Sequence, residues 1–251
     1  MPIKIILSDI DGCISPEESM SWDEALFGRF VRVCRAAAAG EGGLPPLTLC
    51  TGRPQPYVEV LLKILDIRLP AICEGGAVLY SLRDNRSLFV PSIQPDQIRK
   101  LQALRAAIQD EVFPAYPELV YQFGKESQMS LFCENPDIFP DVTRRVQALV
   151  AAIPGLNVHI SPSRYYLNID LVGVTKGAAI KLLLDGLGIA RDEAAGIGDT
   201  MGDWSIREAV GFFACPANAV PQLREAADYV SPHKDLAGIL DILERPELQK
   251  G

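Results

Sequence analysis

The chain has 251 residues, 48% of them hydrophobic and 22% charged, with a formal net charge of −8. This length supports a large buried core, built as one domain with an insertion or as two domains. An acidic chain without a Lys/Arg cluster lacks the basic surface that nucleic acid or an anionic membrane would need, and no segment approaches the roughly 20 apolar residues of a membrane span.

The first apolar run, Ile3-Lys4-Ile5-Ile6-Leu7, reads as a strand buried on both faces and opens onto Asp9-Ile10-Asp11-Gly12. In an open parallel sheet, ligands gather at the carboxyl ends of the strands. Two anions placed there repel by roughly 1 to 4 kcal/mol at about 4 Å, so the pair calls for a cation. Asp and Gly are also ordinary turn residues, and the segment alone does not separate a site from a polar turn. Next, Ser21 with Glu24 three residues on fits a capping box, for a helix that runs to Gly40 with Leu26, Phe30, Val31 and Val33 on its apolar stripe. Leu47 to Cys50 is a second strand ending at Thr51-Gly52-Arg53-Pro54, with Pro54 suited to the first turn of the following helix. Ala71 to Cys73 is a third short strand, and the alternation is the start of an α/β parallel sheet.

From about residue 80 to 170 the rhythm changes. Strands are expected at Val78 to Tyr80, Ser87 to Val90, Leu119 to Phe123, Met129 to Cys133, Leu156 to Ile160 and Tyr165 to Leu171, with helices at about Asp96 to Ile108 and Pro140 to Ala152. Adjacent strands without intervening helices imply an antiparallel sheet, so residues 81–170 read as an α+β domain inserted between core segments 1–80 and 171–251. After Gly173, Thr175 can cap a helix that begins with Lys176 and stops at Gly188. Ala194 to Ile197 is a strand opening onto Gly198-Asp199, with Asp203 close behind, and Gly211 to Ala214 and Tyr229-Val230 supply two more strands.

Six cysteines are scattered without a C-x-x-C pair and read as reduced core residues of a cytoplasmic protein; Cys13 is set apart by the acidic pair beside it. The two histidines, His159 and His233, are expected at the surface. The start of the chain lacks the basic leader and cleavage site of a secretory signal.

Four strand-end or helix-start segments therefore converge on one sheet edge: Asp9 and Asp11, Thr51 to Arg53, Lys176, and Asp199 with Asp203. Singly each is an ordinary turn, cap or surface lysine. In this order and spacing they resemble the four motifs of the haloacid dehalogenase superfamily of phosphohydrolases, and the insertion resembles the large cap of its Cof-type sugar-phosphatase branch. The resemblance spans the chain, with Gly202 and Gly75 standing where many relatives carry Asn.

The resemblance implies a Rossmann-like three-layer α/β core with an inserted α+β cap. It also implies a Mg²⁺-dependent phosphatase that acts on a small phosphorylated metabolite, a sugar or sugar-acid phosphate, as a monomer or homodimer without nucleic-acid or membrane partners. Asp9 would be the nucleophile and Asp11 the general acid and base. Asp9, Asp199 and the backbone carbonyl of Asp11 would hold the metal, and Asp203 would orient water around it without touching it. Thr51, Gly52 and Lys176 would bind phosphate. Arg53 would contact substrate or brace its loop, Arg164 and Asn168 of the cap would contact substrate, and Lys125 and Glu126 are further polar candidates there. The cap would exclude water by moving on hinges near residues 80 and 170. Two other readings stay open: a phosphotransferase such as a sugar phosphomutase using the same nucleophile, and a non-catalytic module phosphorylated on Asp, as in receiver domains.

Overall fold

The computed structural model describes residues 2–162 and 165–249. Two compact units make up the chain: Met1–Leu88 with Thr175–Gly251, and Phe89–Val174. The division falls within the last strand of a sheet that begins with the third strand of the first unit.

The first unit runs β1 (Ile5–Ser8), α1 (Glu24–Ala39), β2 (Leu47–Leu49), α2 (Gln55–Leu65), β3 (Ala71–Cys73), β4 (Val78–Ser81) and β5 (Arg86–Phe89). Across the second unit the chain forms α3 (Pro95–Glu111), β6 (Val120–Tyr121), β7 (Gln128–Phe132), α4 (Phe139–Ala151), β8 (Val158–Pro162) and β9 (Tyr166–Leu171). It returns with α5 (Lys176–Leu187), β10 (Ala194–Ile197), α6 (Trp204–Ala209), β11 (Phe212–Cys215), α7 (Pro221–Ala226), β12 (Tyr229–Val230) and α8 (Asp235–Leu243).

Five parallel strands in the order β12-β11-β10-β1-β2 form the main sheet. Ile5, Ile6 and Leu7 are fully buried, as expected for a central strand covered by helices on both faces. Because β2 lies on one side of β1 and β10 on the other, the strand order reverses at β1. Such a switch point opens a crevice outside the carboxyl ends of the strands.

One expectation is corrected here. Asp23 rather than Ser21 caps α1, its side chain accepting the Leu26 N–H at 2.9 Å; a carboxylate so placed satisfies an otherwise unpaired amide of the first turn. The Ala71–Cys73 strand meets the chain just after β2 through a parallel bridge between Cys50 and Ile72, with the Thr51 N–H donating to the Ile72 carbonyl at 2.9 Å. Its main partner is β4, antiparallel, because the chain reverses at once through the Glu74–Gly76 turn.

In the second unit β6, β7, β9 and β8 form an antiparallel sheet in that order. Along β9 the buried Leu167, Ile169 and Leu171 alternate with half-buried residues, the period-2 signature of a strand with one apolar face, while on β7 the polar Gln128 and Ser130 are buried together with Met129 and Leu131. The helices contribute Leu101, Leu104, Val142 and Val146 to the buried set.

Candidate active site

Parallel register sets the level at which three loops leave the sheet. Ser8 lies opposite Ile197 on one side and Leu49 on the other. The Asp9 N–H then donates to the Ile197 carbonyl at 3.0 Å, and the Cys50 N–H to the Ser8 carbonyl at 2.9 Å. Asp9, Thr51 and Asp199 therefore emerge together at the switch point. Lys176 arrives from α5, whose start is fixed by the Thr175 hydroxyl accepting the Ala178 N–H at 3.1 Å. Gly76 makes this approach possible: its φ is 108°, and a β-carbon there would lie 2.2 Å from the Thr175 carbonyl oxygen.

Inside the crevice, the Lys176 Nζ lies 3.0 Å from Asp9 Oδ2 and 2.6 Å from Asp203 Oδ1. Asp203 Oδ2 accepts the backbone N–H groups of Asp199 and Thr200, each at 3.0 Å. Asp9 Oδ1 accepts the Ile10 N–H at 2.7 Å. Carboxylate oxygens of Asp9, Asp199 and Asp203 lie within 4.8 Å of one another, and all three residues are buried. Gly12 closes one wall with φ 69°; a β-carbon there would fall 2.0 Å from Asp199 Oδ2, so any side chain would displace that carboxylate.

Among the described residues, three clustered carboxylates thus share one buried ammonium. Burial, the Asp203 charge and Asp11 raise the Asp9 carboxyl to about 8 against the opposing pull of Lys176. Burial, then Asp203 and Asp9, raises Asp199 to about 9. Burial would lower Lys176, but Asp203 and Asp9 outweigh it and hold the ammonium well above its usual value. The cluster is one cation short of carrying its full charge. With oxygen donors from carboxylates and backbone, it fits a hard divalent ion such as Mg²⁺ rather than a thiolate- or imidazole-seeking metal.

Asp11 stands slightly apart. Its carboxylate is held by Arg53, with Nε 2.8 Å from Oδ2 and 3.1 Å from Oδ1 and Nη2 2.5 Å from Oδ1. Thr51 is fully buried and its hydroxyl accepts the Arg53 N–H at 3.1 Å; Gly52 follows at the bend. Of the residues expected in the inserted segment, Lys125 and Asn168 meet through Ser130. The Lys125 ammonium donates to Ser130 Oγ, which donates to Asn168 Oδ1, each at 2.8 Å. Arg164 lies outside the described residues. Cys13 is buried, and burial with the Asp199 and Asp9 charges pushes its thiol well above the usual value, which removes it as a nucleophile. All six cysteines are buried and free, and both histidines are exposed.

The sequence reading missed Asn218. Its amide donates to the Gly12 carbonyl at 2.7 Å and accepts the Asp235 N–H at 2.8 Å, while the nearby Val220 N–H donates to the Asp199 carbonyl at 2.8 Å. One loop after β11 thus ties down two of the acidic loops. Nothing in the local sequence, Pro216-Ala217-Asn218-Ala219, distinguishes this residue from an ordinary turn asparagine.

A parallel-sheet switch point that gathers buried acids around a lysine defines an α/β enzyme with an acidic, cation-demanding centre. The family model for haloacid dehalogenase-like hydrolases matches residues 124–243. The chain is 27% identical over 241 residues to a phosphoglycolate phosphatase of Archaeoglobus fulgidus, covering 96% of each chain. It is 26% identical to a phosphoglycolate phosphatase of Methanothermobacter thermautotrophicus, over 97% of this chain and 98% of that one. Its fold is shared with a crystal structure from Thermoplasma acidophilum at TM-score 0.75, 19% identity and coverage of 99% and 100%. A haloacid dehalogenase-like hydrolase from Bacteroides thetaiotaomicron matches at TM-score 0.67 and 16% identity, over 97% and 99% of the two chains. The matched segment and the full-length relatives make the chain similar to phosphatases of the haloacid dehalogenase superfamily. Among the described residues, no helix is long and apolar enough to cross a membrane.

Proposed function

We propose that the chain is a Mg²⁺-dependent phosphatase that hydrolyses the phosphomonoester of a small hydroxy acid through an aspartyl-phosphate on Asp9. The full-length similarity to phosphoglycolate phosphatases supports phosphoglycolate as the first substrate to test, a smaller acid than the sugar and sugar-acid phosphates expected from the sequence. The observation that carries the reading is Asp9 itself, a buried carboxylate at the switch point, held by the Ile10 N–H on one oxygen and by Lys176 on the other.

Asp9 attacks phosphorus as the ester P–O bond breaks, and Asp11 gives a proton to the departing alkoxide. Water then attacks the phosphorus of the aspartyl-phosphate while Asp11 takes its proton, releasing phosphate and restoring Asp9. Lys176 offsets negative charge on the phosphoryl oxygens, joined by the Thr51 hydroxyl and the Gly52 N–H. Asp9, Asp199 and the Asp11 backbone carbonyl would hold Mg²⁺, which when bound supplies the remaining positive charge the phosphoryl oxygens need. Asp203 serves as a positioning residue: one of its oxygens faces Lys176 and the other takes the two backbone N–H groups behind Asp199.

The test is phosphate release from phosphoglycolate with and without Mg²⁺, for the natural chain and for Asp9→Asn. Release should require the metal, and the substitution should lower kcat by at least about a thousandfold. In ¹⁸O-labelled water the label should appear in the released phosphate. Normal turnover by the Asn variant would end the assignment of Asp9.

A further inference from the structure

We propose that Arg53 is the residue that reads the carboxylate of a phosphorylated acid, and that its exchange from Asp11 to the substrate is what frees Asp11 to reach the leaving oxygen. This rests on the phosphatase reading above and names the feature of the substrate that the site selects.

Both oxygens of Asp11 lie in the fork formed by Nε and Nη2 of Arg53, the planar, two-bond arrangement in which guanidinium matches a carboxylate best. The guanidinium also lies over the Tyr57 ring, 5.1 Å from its centroid, so its plane is set by α2 as well as by Asp11. A carboxylate-shaped site is therefore built into the first unit, and Asp11 fills it. It is also reachable. The Arg53 and Asp11 side chains are 33% and 27% exposed, whereas those of Lys176 and Asp9 are 9% and 8% exposed.

While both its oxygens are held in the fork, Asp11 cannot present one to a leaving group. The covalent structure of the substrate supplies the remedy. In an α-phosphorylated acid the ester oxygen and the carboxylate are attached to the same carbon. Any pose that brings this oxygen toward Asp11 therefore carries a second carboxylate to within a few ångströms of Arg53. That carboxylate has the geometry of Asp11 and can take its place in the fork. An ester with an uncharged leaving group offers Arg53 nothing, and Asp11 stays held. Arg53 thus selects through kcat as well as KM, because recognition and release of Asp11 are one event.

The experiment compares phosphoglycolate with ethyl phosphate, which lacks only the carboxylate, for the natural enzyme, Arg53→Gln and Arg53→Lys with Mg²⁺ present. Binding of phosphoglycolate is measured in parallel by calorimetry on Asp9→Asn, alone and combined with Arg53→Gln. The natural enzyme should prefer phosphoglycolate. Arg53→Gln should lower the ratio of kcat/KM values by about tenfold or more, with part of the loss in kcat, and weaken binding in the Asp9→Asn background. Arg53→Lys, which keeps the charge without the fork, should recover binding more than kcat. Equal losses on both esters, or unchanged phosphoglycolate binding, would overturn the proposal and leave Arg53 as a brace for Asp11. A natural enzyme that hydrolyses both esters equally well would overturn the carboxylate reading while the phosphatase stands; hydrolysis of neither, nor of an aryl phosphate, would bring down both.

Discussion

Two buried polar clusters, one in each compact unit, differ in how their charge is balanced. In the first unit, Asp9, Asp199 and Asp203 are gathered around Lys176. In the second, Lys125, Ser130 and Asn168 form a hydrogen-bonded chain, and the half-buried Asp170, raised by desolvation, feels the opposing pull of Lys125 and His159. Among the described residues, the second cluster sets an ammonium near one half-buried carboxylate, with a hydroxyl and an amide in its hydrogen-bonded chain. The first carries an excess of acid. Without a metal that excess is held by protons, with Asp9 and Asp199 raised to about 8 and 9; a cation would take their place, and that difference is why we propose the first cluster as the site.

The comparison breaks most sharply at Lys176. Lys176→Met leaves three buried carboxylates without an ammonium, and removing one partner of a buried ion pair costs about 3 to 5 kcal/mol. Urea unfolding in the presence of chelator should show a loss of that size, and phosphatase activity should fall by at least about a hundredfold. A variant as stable as the natural chain under these conditions would mean that the acids are not charge-starved.

The cluster's hunger for positive charge also has a pH signature. Asp9 and Asp199 titrate near 8 and 9 in the folded chain without metal, well above their value of about 3.9 when unfolded. Between these limits the folded state binds more protons than the unfolded one, so stability falls as pH rises from about 4 toward 8 to 9. Metal binding needs deprotonated carboxylates and releases protons. Chelator-treated protein should therefore melt at lower temperature as pH is raised from 6 to 9. Saturating Mg²⁺ should raise the melting temperature, by about 5 to 10 °C if it contributes about 2.7 kcal/mol, and should oppose the alkaline loss. A melting temperature indifferent to both pH and Mg²⁺ would contradict the imbalance.

The carboxylates and the lysine of this imbalance could be read from the sequence because their signals are local. Asp9 follows an unbroken apolar strand, Thr175 caps the helix that begins at Lys176, and Gly40 and Gly188 end their helices in the left-handed conformation expected of them. What escaped the sequence depends on pairing between distant segments. Arg53 finds Asp11 across 42 residues, and Asn218 finds Gly12 across 206. Ala71–Cys73 makes the parallel bridge beside β2 that its composition leads one to expect, and the tight turn after it adds β4 as an antiparallel partner the sequence does not show. Local composition sets which element forms; the lower cost of closing a short loop decides which neighbour it meets.

Asn218 tests whether the acidic loops are held in place from outside the cluster. Asn218→Ala removes the donor to the Gly12 carbonyl and the acceptor for the Asp235 N–H, and leaving two such groups unsatisfied costs about 1 to 3 kcal/mol each when they are buried. Both are only partly buried here, so a total of about 1 to 2 kcal/mol is expected. Because Gly12 abuts Asp199, Mg²⁺ affinity measured by calorimetry should weaken with stability. Intact affinity despite the stability loss would show that the loop needs no such tie.

The smallest effect is expected in the balanced cluster. Ser130→Ala deletes the hydroxyl that links Lys125 to Asn168. Since Lys125 has other interactions and no net charge is created, the cost should be about 1 kcal/mol, the ordinary net worth of a hydrogen bond. It should be the same with Mg²⁺ or with chelator, unlike the loss at Lys176. Urea unfolding of the two variants under both conditions makes the contrast direct: a Ser130→Ala penalty that grows when the metal is removed would show that the second cluster, too, depends on a cation, and the distinction between the clusters would fail.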